Sequence, residues 1–276
     1  MTALDVTGKS VLITGGATGI GAGVARRLRS LGANITIADV NVDAGQATAA
    51  EVDGVFVRTD VTDYQANVDA VTKAVDAFGG LDIALLNAGV ASGTTFGPTF
   101  DPQRYRRAMA INLDGVVYGI NAALPALNAR GGGDIIATAS MAGIAPVPVD
   151  PIYAANKSGV VALVRSFGAA SVGAGVRTNA ICPAFADTDI LGPLREGLSK
   201  AGVPLLRVEE VVEVFIQILA SGESAQCWFV QPGRAAEPFA FRRAPGPRNP
   251  DGSIAHAADT EAQRKMQQEG IGDNGF

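Results

Sequence analysis

From residue 9 to about residue 230 the chain alternates short apolar runs rich in Ile and Val with longer stretches whose apolar residues recur at helical spacing. A strand that reads as a continuous apolar run has to be covered on both faces, and helical crossovers between such strands force parallel pairing. The candidate strands are residues 10–13, 35–38, 55–57, 83–86, 135–139, 178–181 and 228–230. The expected fold is therefore α/β, a doubly wound three-layer sandwich around a seven-stranded parallel sheet. Long helices are expected over residues 102–129 and 151–172. Both are rich in Ala, Val and Leu, and read either as subunit-interface helices or as helices packed within the chain.

With 276 residues, 47% of them hydrophobic and 18% charged, the chain can bury a large core, and one domain over residues 1–232 is expected. Residues 233–276 contain no Leu or Val and are expected to form a polar tail that adds no strand layer and lies loosely or against a neighbouring subunit. The net charge of −5 and the lack of a Lys/Arg-rich run argue against nucleic acid or an anionic membrane as partner. No run of 18 apolar residues and no signal-like start is found, so a cytoplasmic protein is expected. Cys182 and Cys227 fit no metal-ligand spacing and read as buried thiols. The lone histidine, His256, lies in the tail, so acid–base chemistry falls to Tyr, Lys, Asp or Glu.

Directly after the first candidate strand comes Thr14-Gly15-Gly16-Ala17-Thr18-Gly19-Ile20-Gly21, followed by the helical run from Ala22 to Leu31. Glycines 15, 19 and 21 permit a tight turn and let a pyrophosphate reach the helix N-terminus, where free N–H groups favour an anion. Asp39 ends the second strand, where a carboxylate accepts hydrogen bonds from ribose hydroxyls and repels a 2′-phosphate. The residues that follow, Val40, Asn41, Val42 and Asp43, supply no compensating cation, so the expected cofactor is NAD.

The spacing T-G-x-x-x-G-x-G resembles that of the short-chain dehydrogenase/reductase family, and the resemblance covers nearly all of residues 7 to 230. It implies a Rossmann-type fold in which Asp60 and Val61 contact adenine while Asn87, Ala88 and Gly89 line the cofactor and steady the sheet. Leu86 replaces the first Asn of the family's N-N-A-G. Asn179 to Thr188 resembles the family's N-x-x-x-P-G-x-x-x-T segment, which implies that Pro183 and Thr188 hold the carboxamide. Ala184 stands where glycine is usual, so the backbone there has to avoid positive φ or accept strain. The stretch 176–183 is similar to prostaglandin dehydrogenase-like members of the family.

Ser140 closes the fifth strand, Tyr153 comes thirteen residues later and Lys157 four beyond that. Positions i and i+4 share a helix face, so phenol and ammonium can enter one cleft. A free phenol titrates near about 10; a neighbouring ammonium and the positive nicotinamide both favour phenolate and are expected to lower that value. Tyr153 would exchange the alcohol proton, Ser140 would hold the substrate oxygen and Lys157 would also bond the nicotinamide ribose. The resemblance implies a fourth member, Asn112, holding a water that relays protons to the lysine.

The expected activity is NAD-dependent interconversion of a secondary alcohol and a ketone. Segments 91–96, 141–152 and 185–206 should set selectivity, and their apolar side chains, Phe96, Met141, Ile144, Val149, Phe185 and Leu194 among them, point to a lipophilic or alicyclic substrate. A 3-oxoacyl carrier-protein reductase would want NADPH, against which Asp39 argues, and a non-catalytic cofactor-binding regulator is argued against by the intact Ser140, Tyr153 and Lys157. A homo-oligomer is expected, dimer or tetramer, because the usual V-x-G-G ending is here Phe229-Val230-Gln231-Pro232-Gly233-Arg234.

Overall fold

All five residues of β1 (Ser10–Thr14) are buried, as a strand covered on both faces requires. In the computed structural model, which describes residues 4–242, 245 and 248–253, β1 pairs in parallel with β2 (Asn34–Asp39) on one side and β4 (Ile83–Leu86) on the other. Outside β2 lies β3 (Val55–Arg58). Beyond β4 come β5 (Gly133–Thr138), β6 (Val176–Pro183) and β7 (Cys227–Val230), all parallel. The order β3-β2-β1-β4-β5-β6-β7 reverses direction between β1 and β4, which opens a crevice at the carboxyl ends of those strands. These are the seven expected parallel strands.

Period-two alternation divides their side chains between two helix layers. Val11, Ile13, Ile35, Ile37, Leu85, Ile136 and Ile181 share one core with Val24 and Leu28 of α1 (Gly19–Ser30) and with Val211, Phe215 and Leu219 of α8 (Val208–Ser221). Near the edge, α2 (Val42–Glu51) covers β2 and β3. On the opposite face α3 (Tyr64–Phe78) packs on α5 (Gly115–Ala129), and α6 (Pro151–Ser171) packs on β6. Side-chain caps start the helices after the carboxyl-end loops. Asp63 accepts from the Gln65 N–H at 2.9 Å, and Asp101 accepts from Gln103 and Arg104 ahead of α4 (Pro102–Met109). A further short helix, α7 (Leu194–Lys200), lies in the segment before α8.

The structure corrects the sequence reading at three places. The expected helix over residues 102–129 is broken by a π turn at Ala110–Asp114, between α4 and α5. The buried Asn112 occupies that turn, and its amide bonds, described below, hold the widened backbone in place. By length and composition the span Pro102–Ala129 could cross a bilayer, but it packs on α3, α6 and β4 within the chain. Second, the tail does add a strand: β8 (Glu237–Pro238) pairs antiparallel with β7. Aromatic packing takes the place of the missing Val and Leu. Phe239 meets Phe229 edge-on at 6.4 Å, its N–H donates to the Cys227 carbonyl at 2.8 Å, and the Arg234 guanidinium lies over the Phe229 ring at 5.0 Å. Third, β5 ends at Thr138, so Ser140 stands past the strand and caps the short 3-10 turn Met141–Gly143. The second compact unit begins after residue 239; its described residues include a turn in which Arg248 donates to the Gly252 carbonyl at 2.7 Å. His256 and residues 254–276 lie outside the described residues.

Leu86, where the family pattern has Asn, is buried and points at Gly119 of α5, where an added Cβ would come within 2.6 Å of the leucine Cδ2. Gly119→Ala should therefore destabilise the protein by about 1–3 kcal/mol. In urea melts, Leu86→Ala combined with Gly119→Ala should cost clearly less than the sum of the two single changes.

Candidate active site

The glycine turn is built by two close backbone approaches. Gly15, at φ +62°, lies where a Cβ would come within 2.7 Å of the Ala88 Cα, and a Cβ on Gly21 would collide with the Gly15 carbonyl oxygen. Glycine is thus required at both positions for the loop after β1 to fold against the loop after β4. The turn delivers the chain into α1 with a bare end: the Thr18 side chain makes no capping bond, and the N–H groups of Gly19, Ile20 and Gly21 have no acceptor among the described residues. Three unsatisfied donors at the positive end of a helix dipole fit a pyrophosphate.

At the end of β2, Asp39 accepts from the Ala17 N–H at 3.0 Å through one oxygen and from the Asn41 N–H at 2.9 Å through the other. The bonds fix the carboxylate beside the glycine turn, and each oxygen keeps a second lone pair. Val40 is exposed next to it. Asp60 closes its own turn by accepting from the N–H and hydroxyl of Thr62 at 3.0 and 2.8 Å. Val61 is buried against Gly115.

Asn87 serves the scaffold directly. Its Nδ2 donates to the Gly15 carbonyl at 3.1 Å, its Oδ1 accepts from the Thr138 hydroxyl at 3.0 Å, and its N–H, like that of Ala88, donates to the Thr14 hydroxyl. Gly89 leaves room for the Asn112 Oδ1 and the Lys157 Nζ, which would stand 3.3 and 3.5 Å from a Cβ there. After β6, Ala184 avoids positive φ and donates its N–H to the Val230 carbonyl at 2.9 Å, so the departure from glycine introduces no strain. Thr188 reaches over the turn, with its Cγ2 3.3 Å from a Cβ on Gly19. Its loop is pinned where Leu206 donates to the Phe185 carbonyl and Asp187 donates to that of Leu206.

Asp150 caps α6 and Pro151 occupies its first position, which places Tyr153 and Lys157 one turn apart. Lys157, only 2% exposed, donates through Nζ to the Thr138 carbonyl at 2.7 Å and lies 5.7 Å from the centre of the Tyr153 ring. Ser140 donates to the Pro183 carbonyl at 3.4 Å and accepts from the Ala142 N–H at 3.1 Å, and its hydroxyl is close enough to pull the Tyr153 phenol down. The carboxyl ends of β5 and β6 and the start of α6 thus bring Ser140, Tyr153, Lys157 and Pro183 together. Asn112 bonds none of these four, although its Oδ1 and Lys157 Nζ both stand beside Gly89: Oδ1 accepts from the Val90 N–H, while Nδ2 donates to the Val90 carbonyl and to Asn156 Oδ1 at 2.7 Å.

The electrostatics of the protein groups alone run opposite to the sequence expectation. Burial and the charge of Asp150 push the Tyr153 phenol up to about 12, with the Ser140 hydrogen bond pulling down. Burial pushes Lys157 down to about 8. Loss of solvent acts against the charged form of both groups and is the largest cause of each shift.

Three participants escaped the sequence reading. Thr138, Asn156 and Asp150 carry no motif signal of their own, although Asn156 is a polar residue on the buried side of α6, where any polar group needs a partner. The described cavity beside the start of α6, about 550 Å³, is lined by Thr94, Thr95, Thr99, Asp101, Arg104 and Asp150 along with Gly93 and Val149. It is more polar than the apolar segments around it suggest. Of the apolar side chains expected to set selectivity, Val149 lines the cavity, while Phe96 stacks on Phe100 at 6.4 Å and Phe96, Phe185, Ile190 and Leu194 are all exposed.

Comparison with known proteins agrees with this geometry. The short chain dehydrogenase family model matches residues 9–199. Among relatives, human 15-hydroxyprostaglandin dehydrogenase [NAD(+)] is 37% identical over 200 residues, covering 68% of this chain and 72% of the relative. Trans-4-hydroxycyclohexanecarboxylate dehydrogenase of Sinomonas cyclohexanicum is 35% identical over 80% of this chain and 88% of the relative. The 2-dehydro-3-deoxy-L-rhamnonate dehydrogenase (NAD(+)) of a Sphingomonas species is 32% identical over 80% of this chain and 90% of the relative. A crystal structure of a short-chain type dehydrogenase/reductase from Mycobacterium marinum superposes with a TM-score of 0.78 at 28% identity, covering 83% of this chain and 96% of that one. The chain belongs to the short-chain dehydrogenase family.

A lysine whose folded value lies near 8, against an ordinary value of 10.5, binds fewer protons folded than unfolded between those limits. Stability should therefore rise by about 2 kcal/mol as pH goes from about 8 to 10. Above about 10 the raised Tyr153 reverses the trend, because unfolded tyrosine ionises first. Urea midpoints measured across this range should show the rise, and Lys157→Met should flatten it.

Proposed function

We propose that the chain is an NAD-dependent dehydrogenase that interconverts a secondary alcohol and its ketone, with Tyr153 as the acid–base group. The observation that carries this reading is the position of the buried Lys157, held on the Thr138 carbonyl beside Tyr153 and Ser140, in the same crevice as the uncapped glycine turn. Two of the relatives above carry NAD(+) in their names. When bound, NAD+ supplies the hydride acceptor and a positive charge near the phenol.

The residues divide the remaining work. The N–H groups of Gly19, Ile20 and Gly21 receive the pyrophosphate, with Gly15 and Thr18 shaping the turn. Asp39 accepts from the adenosine ribose and turns away a 2′-phosphate, while Val40, Asp60 and Val61 flank the adenine. Asn87, Ala88 and Gly89 form the floor, and Pro183 and Thr188 orient the carboxamide. Ser140 donates to the substrate oxygen. Tyr153 takes the hydroxyl proton in oxidation and returns it in reduction. Lys157 holds the nicotinamide ribose and steadies the phenolate, and Asn112 keeps the backbone at Val90 in place beneath it.

The substrate we favour is lipophilic or alicyclic. The exposed apolar side chains of the segments expected to set selectivity, Phe96, Val149, Phe185, Ile190 and Leu194, support this, as do relatives whose names specify ring alcohols, a hydroxycyclohexanecarboxylate and a dichlorocyclohexadienediol.

The test is NADH formation by the purified protein with a panel of cyclic, aromatic and long-chain secondary alcohols, each with NAD+ and NADP+. Turnover with NAD+ is expected; turnover with NADP+ alone would overturn the reading of Asp39. Hydrogen bonds to a charged partner are worth about 1.5–3 kcal/mol, so Asp39→Ala should lower kcat/KM for NAD+ by about 10–100-fold and narrow the preference over NADP+. Tyr153→Phe should lose about 100-fold or more in kcat, and a loss of only a few-fold would remove Tyr153 as the acid–base group.

A further inference from the structure

The Asp150 carboxylate sits where three parts of the molecule meet. One oxygen accepts from the Tyr153 N–H at 2.9 Å and from the Ser92 hydroxyl at 2.6 Å. The other accepts from the Ser92 N–H at 3.3 Å. Ser92 is buried and passes the connection on, because its hydroxyl oxygen also accepts from the Thr94 N–H at 3.3 Å. Asp150 itself forms part of the wall of the 550 Å³ cavity, together with Asp101 and Arg104. A helix cap needs only the bond to Tyr153; the two bonds to Ser92 are additional and fasten the loop after β4 to the first turn of α6.

We propose that Asp150 is a positioning residue for Tyr153, which clamps the loop at Ser92 to the catalytic helix and sets the electrostatic field at the phenol. The proposal deepens the reading of Tyr153 as the acid–base group and rests on it. Its physical basis is distance and charge. The carboxylate bonds the backbone of the residue whose phenol it influences, and a negative charge held there opposes formation of a second negative charge on the phenolate. Asp150 is one of the groups that push the Tyr153 phenol up. The other charged or titratable groups around the phenol are Lys157 on the same helix and, behind that lysine, Cys182 of β6. Across the cavity from Asp150 stand Arg104, whose Nη1 donates to the Gly93 carbonyl at 2.9 Å, and Asp101, 3.3 Å from its Nε. Those two pair with one another, whereas Asp150 forms no ion pair among the described residues.

Asp150→Asn separates the charge from the cap, because the Asn carbonyl still accepts from the Tyr153 N–H. The experiment has two readouts. The first is phenolate absorbance in the near ultraviolet after rapid pH jumps on the free protein, with Tyr153→Phe subtracted to isolate the Tyr153 step; it needs no substrate. Asp150→Asn should move that step to lower pH by about one unit, whereas Ser92→Ala should leave it within a few tenths of a unit. The second readout is the pH profile of kcat/KM for alcohol oxidation with NAD+. The acid limb should move in the same direction in Asp150→Asn, and Ser92→Ala should raise KM while leaving the limb in place. An unchanged Tyr153 step in Asp150→Asn would overturn the proposal and reduce Asp150 to a helix cap. A phenolate step that moves as expected, in a protein whose Tyr153→Phe variant keeps its activity, would leave the field of Asp150 established and would instead sink the acid–base reading of Tyr153.

Discussion

One hydrogen-bonded line runs across the crevice and sets the position of everything around it. The Gly15 carbonyl accepts from the Asn87 amide, the Asn87 carbonyl oxygen accepts from the Thr138 hydroxyl, and the Thr138 backbone carbonyl accepts from Lys157. The line begins in the turn after β1, crosses β4 and β5, and ends on the face of α6 that carries Lys157. Each link satisfies a polar group at the rim of the core that would otherwise cost free energy. The glycine turn and Lys157 are therefore not held separately by their own helices: a shift in one strand moves both.

A second line lies below it. Asn112 grips both backbone groups of Val90, and Asn156 takes the other Asn112 proton while donating to the Ile152 carbonyl and Met109 sulfur. Two fully buried amides are unfavourable in isolation and tolerable only when their donors and acceptors match, as these do. The π turn at Asn112 is part of that match. The same dry surroundings explain the resting state of Tyr153 and Lys157. Excluding water raises the tyrosine and lowers the lysine, so the site favours a neutral phenol until a positive charge enters, and ionisation is coupled to occupancy of the crevice.

The strands were legible in the sequence because β1, β2 and β4 are covered on both faces and read as uninterrupted apolar runs, a pattern that tertiary context seldom overrides. The i, i+4 spacing of Tyr153 and Lys157 is common by chance, and grouping them with Ser140 drew on the glycine loop and Asp39 as well. What escaped depended on partners distant in sequence. The π turn arises from the demands of Val90 and Asn156, which lie 22 and 44 residues from Asn112. Strand β8 depends on two phenylalanines and an arginine in a segment whose composition contains no strand signal. The direction of the Tyr153 shift is set by how deeply the group is buried, and no residue pattern reports that.

The eighth strand has a consequence for the molecule's behaviour in crowded solution. A parallel sheet ends in rows of unpaired backbone groups, and those rows recruit strands from other chains. Here β7 is covered by a partner only two residues long, one of which, Pro238, has no N–H to offer on the outer side. At the opposite edge β3 is four residues long and ends in the exposed Arg58. Both margins of the sheet are thus poor templates for further strand addition, which suits a chain whose central strands are among the most apolar, β-prone segments it contains.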